Sequence, residues 1–416
     1  MALLKAPRAM VVYNFVLLLL CVANLLNLFV PRYVSEEDSA LRLPIQVTYG
    51  LVCAVILPSI YLYTNDLITH YSVMVRVFIT FILLYFVLGM LLLNVPLSTL
   101  SPYLRLITWT SATLFFIKYT QGTGGNNKFL AAFVLLFILV SIKKLFEIIG
   151  VQEDRLGAGD TAGLTFALLI PSILLLFKGN FKIILTALAI FLVFASVRRT
   201  AIICVVLSMP FIYWELKSQL KTIHIVIFTV LFLGVCIYAW QFYGDILYDR
   251  FDSLLVGDRG GKKDSFGSGR SVFWALVFNT WADSPPLHFA FGWGIGSVRY
   301  LLATRYADIG HTHDDYLEIV YTFGLVGLLI WLGTLVKLFS IIKHIRKYAP
   351  DRVRILIILF ITFGIISVFS GTLFKADMII FAIPIGLIIS ETMRNRELVA
   401  IVKQVTENAQ PIPNSN

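Results

Sequence analysis

Residues 181–214 read FKIILTALAIFLVFASVRRTAIICVVLSMPFIYW, two apolar runs parted only by Arg198 and Arg199. Crossing hydrocarbon as a helix takes roughly 17–25 residues, which the first run meets and the second approaches. The arginine pair is then either a tight turn at the membrane interface or the charged middle of one broken helix. Similar apolar runs recur outward from this stretch in both directions. A span-sized window predicts helices at about 11–30, 45–63, 72–94, 103–119, 129–146, 161–177, 181–197, 200–214, 223–242, 316–339, 353–373 and 376–391. Of the 416 residues 58% are hydrophobic and 14% charged, and the mean hydropathy is +0.85. A soluble domain does not have this composition. The predicted fold class is therefore an all-α polytopic membrane protein of about twelve transmembrane helices, because only helices close every backbone hydrogen bond within their own segment.

The organisation follows from the spacing of these runs. Residues 1–242 hold nine predicted helices, 243–312 form one long loop, 313–393 hold three more helices, and 394–416 make a tail, all within a single integral membrane domain. The run from Val11 to Val30 exceeds a signal-peptide core and lacks a cleavage pattern, so it is expected to remain as the first helix. Connections of one parity carry Lys5, Arg8, Lys128, Lys178, Lys182, Lys217, Lys221, the basic run from Lys343 to Arg354, and Arg394, Arg396 and Lys403. The positive-inside rule makes these cytoplasmic, with both termini inside and the long loop outside. The net charge of +10 then reports topology and contact with anionic lipid headgroups, with nucleic acid a poor second. Cys21, Cys53, Cys204 and Cys236 all fall in apolar runs without CxxC spacing, so neither a disulfide framework nor a metal site is expected. The turn at 122–127 has no GxxxxGK[ST] pattern, and no nucleotide is expected.

Several basic residues break the topological bias. Arg198, Arg199, Lys262, Lys263, Arg270, Arg299 and Arg305 all sit on the outward parity. Arginine keeps its charge when partly desolvated and matches phosphate oxygens bidentately, so Arg199 at the lip of two spans suits a lipid diphosphate, with Arg198 beside it. Arg270 opens SVFWALVFNTWADSP, which has the spacing of an amphipathic interfacial helix. It reads either as an arginine snorkelling to headgroups or as an anion clamp. The segment FGWGIGSVRY (291–300) suits a tight turn or a backbone packed close to a ligand. HTHDDYLE (311–318) then leads into the tenth span. Its histidines and aspartates could ligate a metal, but a third well-spaced ligand group is missing on the outward side. As acid–base chemistry, His313 could take a proton from a sugar hydroxyl with a carboxylate orienting its ring. The bland alternative makes Asp314 or Asp315 the N-cap of the following helix, with the histidines at its start.

The order of parts resembles the O-antigen ligase and polymerase superfamily of bacterial envelope glycan assembly. The resemblance rests on about twelve helices, the Arg199-Thr200 step, a long outward loop with the Gly269-Arg270 step, FGWGIGS, HTHDDYLE and the following FGLVG. It covers residues 190–335 by motif and the N-terminal half by hydropathy alone. It implies a fold like the C-class membrane glycosyltransferases in the bacterial inner membrane, with a periplasmic active site and no metal or other cofactor. Its donor would be an undecaprenyl-diphosphate-linked glycan and its acceptor, for a ligase, lipid A-core. Carried onto this sequence, His313 is the base, Arg199 and Arg270 bind the diphosphate with Arg198 nearby, and His311 and Asp314 support them. The family's usual Asn after the histidine is here Asp314. The pattern favours a ligase over a polymerase. A non-enzymatic transporter is the reading from another class, but an internal repeat relating the two halves, which would favour it, is absent.

Overall fold

The computed structural model describes residues 67–93, 101–122, 127–149, 162–196, 198–219, 270–304, 312, 314–371 and 378–408, with helical positions between 11 and 57 and at 237 and 241. The described residues form helices and their connections, without strands. In chain order these are α1 (Thr69–Leu93), α2 (Ser101–Gly122), α3 (Lys128–Ile149), α4 (Ala162–Leu176), α5 (Gly179–Ala195), α6 (Arg199–Leu216), α7 (Arg270–Ala282), α8 (Pro286–Phe291), α9 (Ser297–Ala303), α10 (Asp315–Ser340), α11 (Ile342–Tyr348), α12 (Val353–Phe369) and α13 (Ile379–Asn408). Among the described residues four stretches are long and apolar enough to cross a membrane: Thr69–Leu88, Arg199–Leu216, Asp315–Tyr348 and Pro350–Phe369. The helices α4 and α5 are apolar but shorter.

Each of α1 to α6, α10, α12 and α13 overlies a span expected from hydropathy, while the expected spans at 11–30, 45–63 and 223–242 lie largely outside the described residues. The alternative left open at Arg198-Arg199 is resolved as a turn. The helix α5 closes with Ser196, Arg198 is extended (φ −89°, ψ 107°), and α6 starts at Arg199. In the other direction, α13 overruns its expected end and continues to Asn408.

The core is apolar, as in a soluble bundle, but much of the outer surface is apolar too, as lipid demands. Apolar side chains such as Leu84, Val87, Ile184, Val206, Leu329 and Val336 are exposed, whereas Thr108, Thr110, Ser111 and Thr113 of α2 are buried. Such buried hydroxyls bond back along their own helix, as Thr110 Oγ1 does to the Leu106 carbonyl at 2.7 Å. The most extensive contacts join α2 to α13, α6 to α12, α4 to α5 and α10 to α1. Trp109, Trp331, Phe363 and Phe381 interlock at the centre, Trp109 meeting Trp331 edge-on at 5.6 Å and Phe363 stacking on Phe381 at 4.5 Å. A second, smaller core of Val277, Trp281, Val298, Leu302, Val320 and Tyr321 seats α7, α8 and α9 against the first half of α10.

Candidate functional site

The ends of the bundle differ in chemistry. At one end Lys182 of α5 pairs with Glu215 of α6 at 3.3 Å, both side chains nearly buried. Arg354 of α12 lies 3.8 Å from the same carboxylate, and Arg352 pairs with Glu391 of α13 at 2.8 Å. These contacts join the start of α5 and of α12 to the end of α6, so α6 runs antiparallel to both neighbours. Cys204 Sγ, 3.8 Å from the Thr362 carbonyl, fixes the register of α6 on α12. At about 1.5 Å per residue, Arg199 lies about 7.5 Å beyond that contact and Phe369 about 10 Å beyond it, in the same direction. Arg199 and the last residue of α12 are therefore level at the opposite end of the bundle.

Arg270 belongs to this second end. Its Nη1 donates to the Phe369 carbonyl, one of the carbonyls that the C-terminus of α12 leaves without a helical partner. A cation there also meets the negative end of the helix dipole. The guanidinium is half-buried, and burial lowers its pKa from the usual value. Arginine nonetheless keeps its charge in proteins. One turn along α7, Trp274 packs near Phe369 (ring centroids 6.4 Å apart) and donates Nε1 to the Thr312 carbonyl at 2.9 Å. A single helix thus ties the end of α12 to the segment entering α10.

Thr312, Asp314 and Asp315 of that segment are buried and polar. Asp314 caps α10, its Oδ1 accepting from Leu317 N at 2.9 Å, while Asp315 begins the helix and is almost fully buried. Thr312 Oγ1 accepts from Asp314 N at 3.1 Å, and the Thr312 N–H is directed at Glu318 Oε2, 3.4 Å away. Burial is the main cause raising the Asp314 carboxyl above its usual pKa, with Glu318 adding to it and the N–H groups of Leu317 and Tyr316 opposing it. A raised folded pKa means that the folded state holds this proton more tightly than the unfolded chain, so stability falls as pH rises from the unfolded value through the folded one. Asparagine offers the same capping oxygen without charge. Asp314→Asn is expected to match the parent in thermal unfolding at acid pH and to surpass it increasingly towards neutral pH. Asp314→Ala, without a cap, is expected to lie about 1 kcal/mol below Asp314→Asn at every pH.

The run FGWGIG, read above as a turn or a ligand-facing backbone, is placed against another backbone. Helix α10 breaks at Gly324 (φ 68°, ψ −171°), which leaves carbonyls in the preceding turn without their helical donors. Trp293 N donates to the Tyr321 carbonyl at 2.9 Å and Gly294 N to the Thr322 carbonyl at 3.0 Å. A Cβ on Gly292 would lie 2.4 Å from the Thr322 carbonyl carbon, and one on Gly324 would lie 2.3 Å from the Ala290 carbonyl oxygen. Tyr85 of α1 holds the Phe291 carbonyl, and Tyr103 Oη of α2 accepts from Gly296 N at 3.3 Å. The glycines of FGWGIG and FGLVG therefore let loop and broken helix touch.

A model of the family described as O-antigen ligase matches residues 184–332. This match bears out, for that segment, the resemblance to the O-antigen ligase and polymerase superfamily. No curated protein matches the chain. The O-antigen ligase segment starts within α5 and ends within α10, so it contains the Arg198-Arg199 turn, α7 with Arg270, the glycine crossing and the cap of α10. Of the expected site residues, Arg199, Arg270 and Asp314 lie among the described residues, and Arg198 immediately precedes α6; His311 and His313 lie outside them. Sequence reading passed over Trp274, Thr312 and Glu318. Glu318 lay within HTHDDYLE, and Trp274 was counted only as part of an interfacial face.

Proposed function

We propose that this protein is an inverting, metal-independent glycosyltransferase that moves O-antigen polysaccharide from undecaprenyl diphosphate to a sugar hydroxyl of lipid A-core. The observation that carries the reading is the grouping, within the O-antigen ligase segment, of the Arg199 and Arg270 elements with the cap of α10 at one end of the bundle. In this reading that end faces the periplasm, because the opposite end carries Lys182, Arg352, Arg354, Arg394 and Arg396. His313 accepts the proton of the acceptor hydroxyl as its oxygen attacks the anomeric carbon. The bond from that carbon to the phosphate oxygen breaks, and its electron pair leaves with the undecaprenyl diphosphate. Arg199 and Arg270, with Arg198 nearby, stabilise the departing charge. The bond to Phe369 uses one of the five N–H donors of Arg270, leaving others for phosphate oxygens. No nucleotide is needed, since the glycosyl diphosphate bond supplies the driving force. About twelve spans with both termini in the cytoplasm complete the proposal.

The test uses purified full-length protein with lipid-linked O-antigen and lipid A-core, together and separately, and resolves glycan products by gel. Modified lipid A-core is the expected product. Longer lipid-linked chains formed without lipid A-core would make the protein a polymerase, and no transfer under any condition would return it to the transporter class. A chelator is expected to leave the rate unchanged. Inhibition by EDTA that a divalent metal reverses would overturn the metal-independent mechanism.

A further inference from the structure

Thr312, the residue before His313, has each of its polar atoms engaged. Its N–H is directed at Glu318 Oε2 (3.4 Å), and its carbonyl accepts from Trp274 Nε1 (2.9 Å). Its hydroxyl oxygen accepts from Asp314 N at 3.1 Å and lies 2.7 Å from the Asp314 carbonyl oxygen and 3.2 Å from Glu318 Oε2. Thr312 is completely buried and Glu318 is 8% exposed. Glutamate is rarely buried to this extent without a specific partner. Helix capping does not account for it, because Asp314 already caps α10 through Leu317 N, and Glu318 stands one position beyond the place from which a capping box reaches back. Its carboxylate lies against Thr312 instead, within 3.4 Å of the N–H and 3.2 Å of the hydroxyl. On the other side of His313, Asp314 is held by its own cap bond.

We propose that Glu318 is a positioning residue for His313, acting through Thr312. The inference rests on the reading of His313 as the base that deprotonates the acceptor. A general base must come within about 2.6–3.2 Å of the atom whose proton it takes. Displacement by about 1 Å costs on the order of 100-fold in rate. Glu318 and Trp274 serve that tolerance by holding the peptide groups on either side of the Thr312 Cα, the N–H of one and the carbonyl of the next, from different helices, α10 and α7.

The experiment measures kcat and donor KM for transfer by the full-length protein in liposomes, with lipid-linked glycan as donor, alongside the unfolding temperature. The variants are Glu318→Ala, Glu318→Gln, Thr312→Val and His313→Ala. Glutamine keeps an oxygen for the Thr312 N–H, so Glu318→Gln is expected to retain kcat within about 3-fold, whereas Glu318→Ala loses on the order of 100-fold with donor KM within about 2-fold. Where Glu318→Ala does not insert, Thr312→Val carries the test, with a smaller loss of kcat at unchanged donor KM. Glu318→Ala at parental kcat while His313→Ala is silent would overturn the proposal. So would a loss borne by donor KM, or Glu318→Gln as inactive as Glu318→Ala. Failure of the reading beneath it looks different: the parent protein transfers nothing, or His313→Ala remains active.

Discussion

Gly324→Ala is expected to yield no stably folded protein. Two independent costs meet at this position. The backbone adopts φ 68° and ψ −171°, a region open essentially to glycine alone, where another residue costs on the order of 1–3 kcal/mol. The added methyl would also stand 2.3 Å from the Ala290 carbonyl oxygen and 2.4 Å from the Phe291 nitrogen. Both are backbone atoms, and no change of rotamer moves them. Relief requires α8 to retreat from α10, which breaks the bonds from Trp293 N and Gly294 N to the Tyr321 and Thr322 carbonyls. Those carbonyls then face a poorly hydrated interior, where each unsatisfied group costs about 1–3 kcal/mol. The sum is about 3–9 kcal/mol, and most of that range lies in the size reserved for mutations that break a specific mechanism of folding. Gly364→Ala is the control, since nothing lies within 4 Å of a Cβ there and the site is helical. It is expected to be neutral or slightly stabilising. Detergent-solubilised yield and thermal unfolding measure both, and a Gly324→Ala protein that melts with the parent would remove the backbone crossing as described.

This crossing also marks where the sequence stops being legible. The apolar runs place α1 to α6, α10, α12 and α13 because span length is a local property, written in consecutive residues. The end of α13 was misplaced for a related reason. Hydropathy falls at Arg394 and Arg396, but Arg, Glu, Leu, Ala, Lys and Gln all favour helix, so the helix outlives the apolar run that began it. FGWGIG was recognisable as a close approach, yet its partner is another glycine in α10, and nothing local to 291–296 names it. Arg270 poses the same problem at longer range. Its neighbours admit both snorkelling and anion clamping and lean towards the first, and the carbonyl it holds belongs to Phe369, 99 positions away. Glu318 could have been singled out from its place in a buried turn after Asp314, but only the fold shows that it turns to Thr312.

Arg270→Ala and His313→Ala are expected to silence glycan transfer to the same level, about 1,000-fold below the parent, and the double variant is expected to fall no further. Removing one fixed donor from a developing anion costs on the order of 10²–10³ in rate, and removing a general base costs about 10²–10⁴. In the proposed step the two act on one transition state, the arginine on the departing diphosphate and the histidine on the attacking hydroxyl. Losses from groups that work as a unit do not add. Additive losses in the double variant would show that they serve separate steps. Arg270→Lys separates charge from shape: an ammonium supplies a point charge but not the planar fork, so partial activity is expected, between the parent and Arg270→Ala. Stability should move little, because the bond from Arg270 to the Phe369 carbonyl is one hydrogen bond at a helix end, worth about 1–2 kcal/mol. A small drop in unfolding temperature beside a thousandfold loss of transfer would assign the arginine to chemistry. A large drop with transfer lost in proportion to folded protein would make it a strut for α12, and the anion would have to be sought at Arg199 alone.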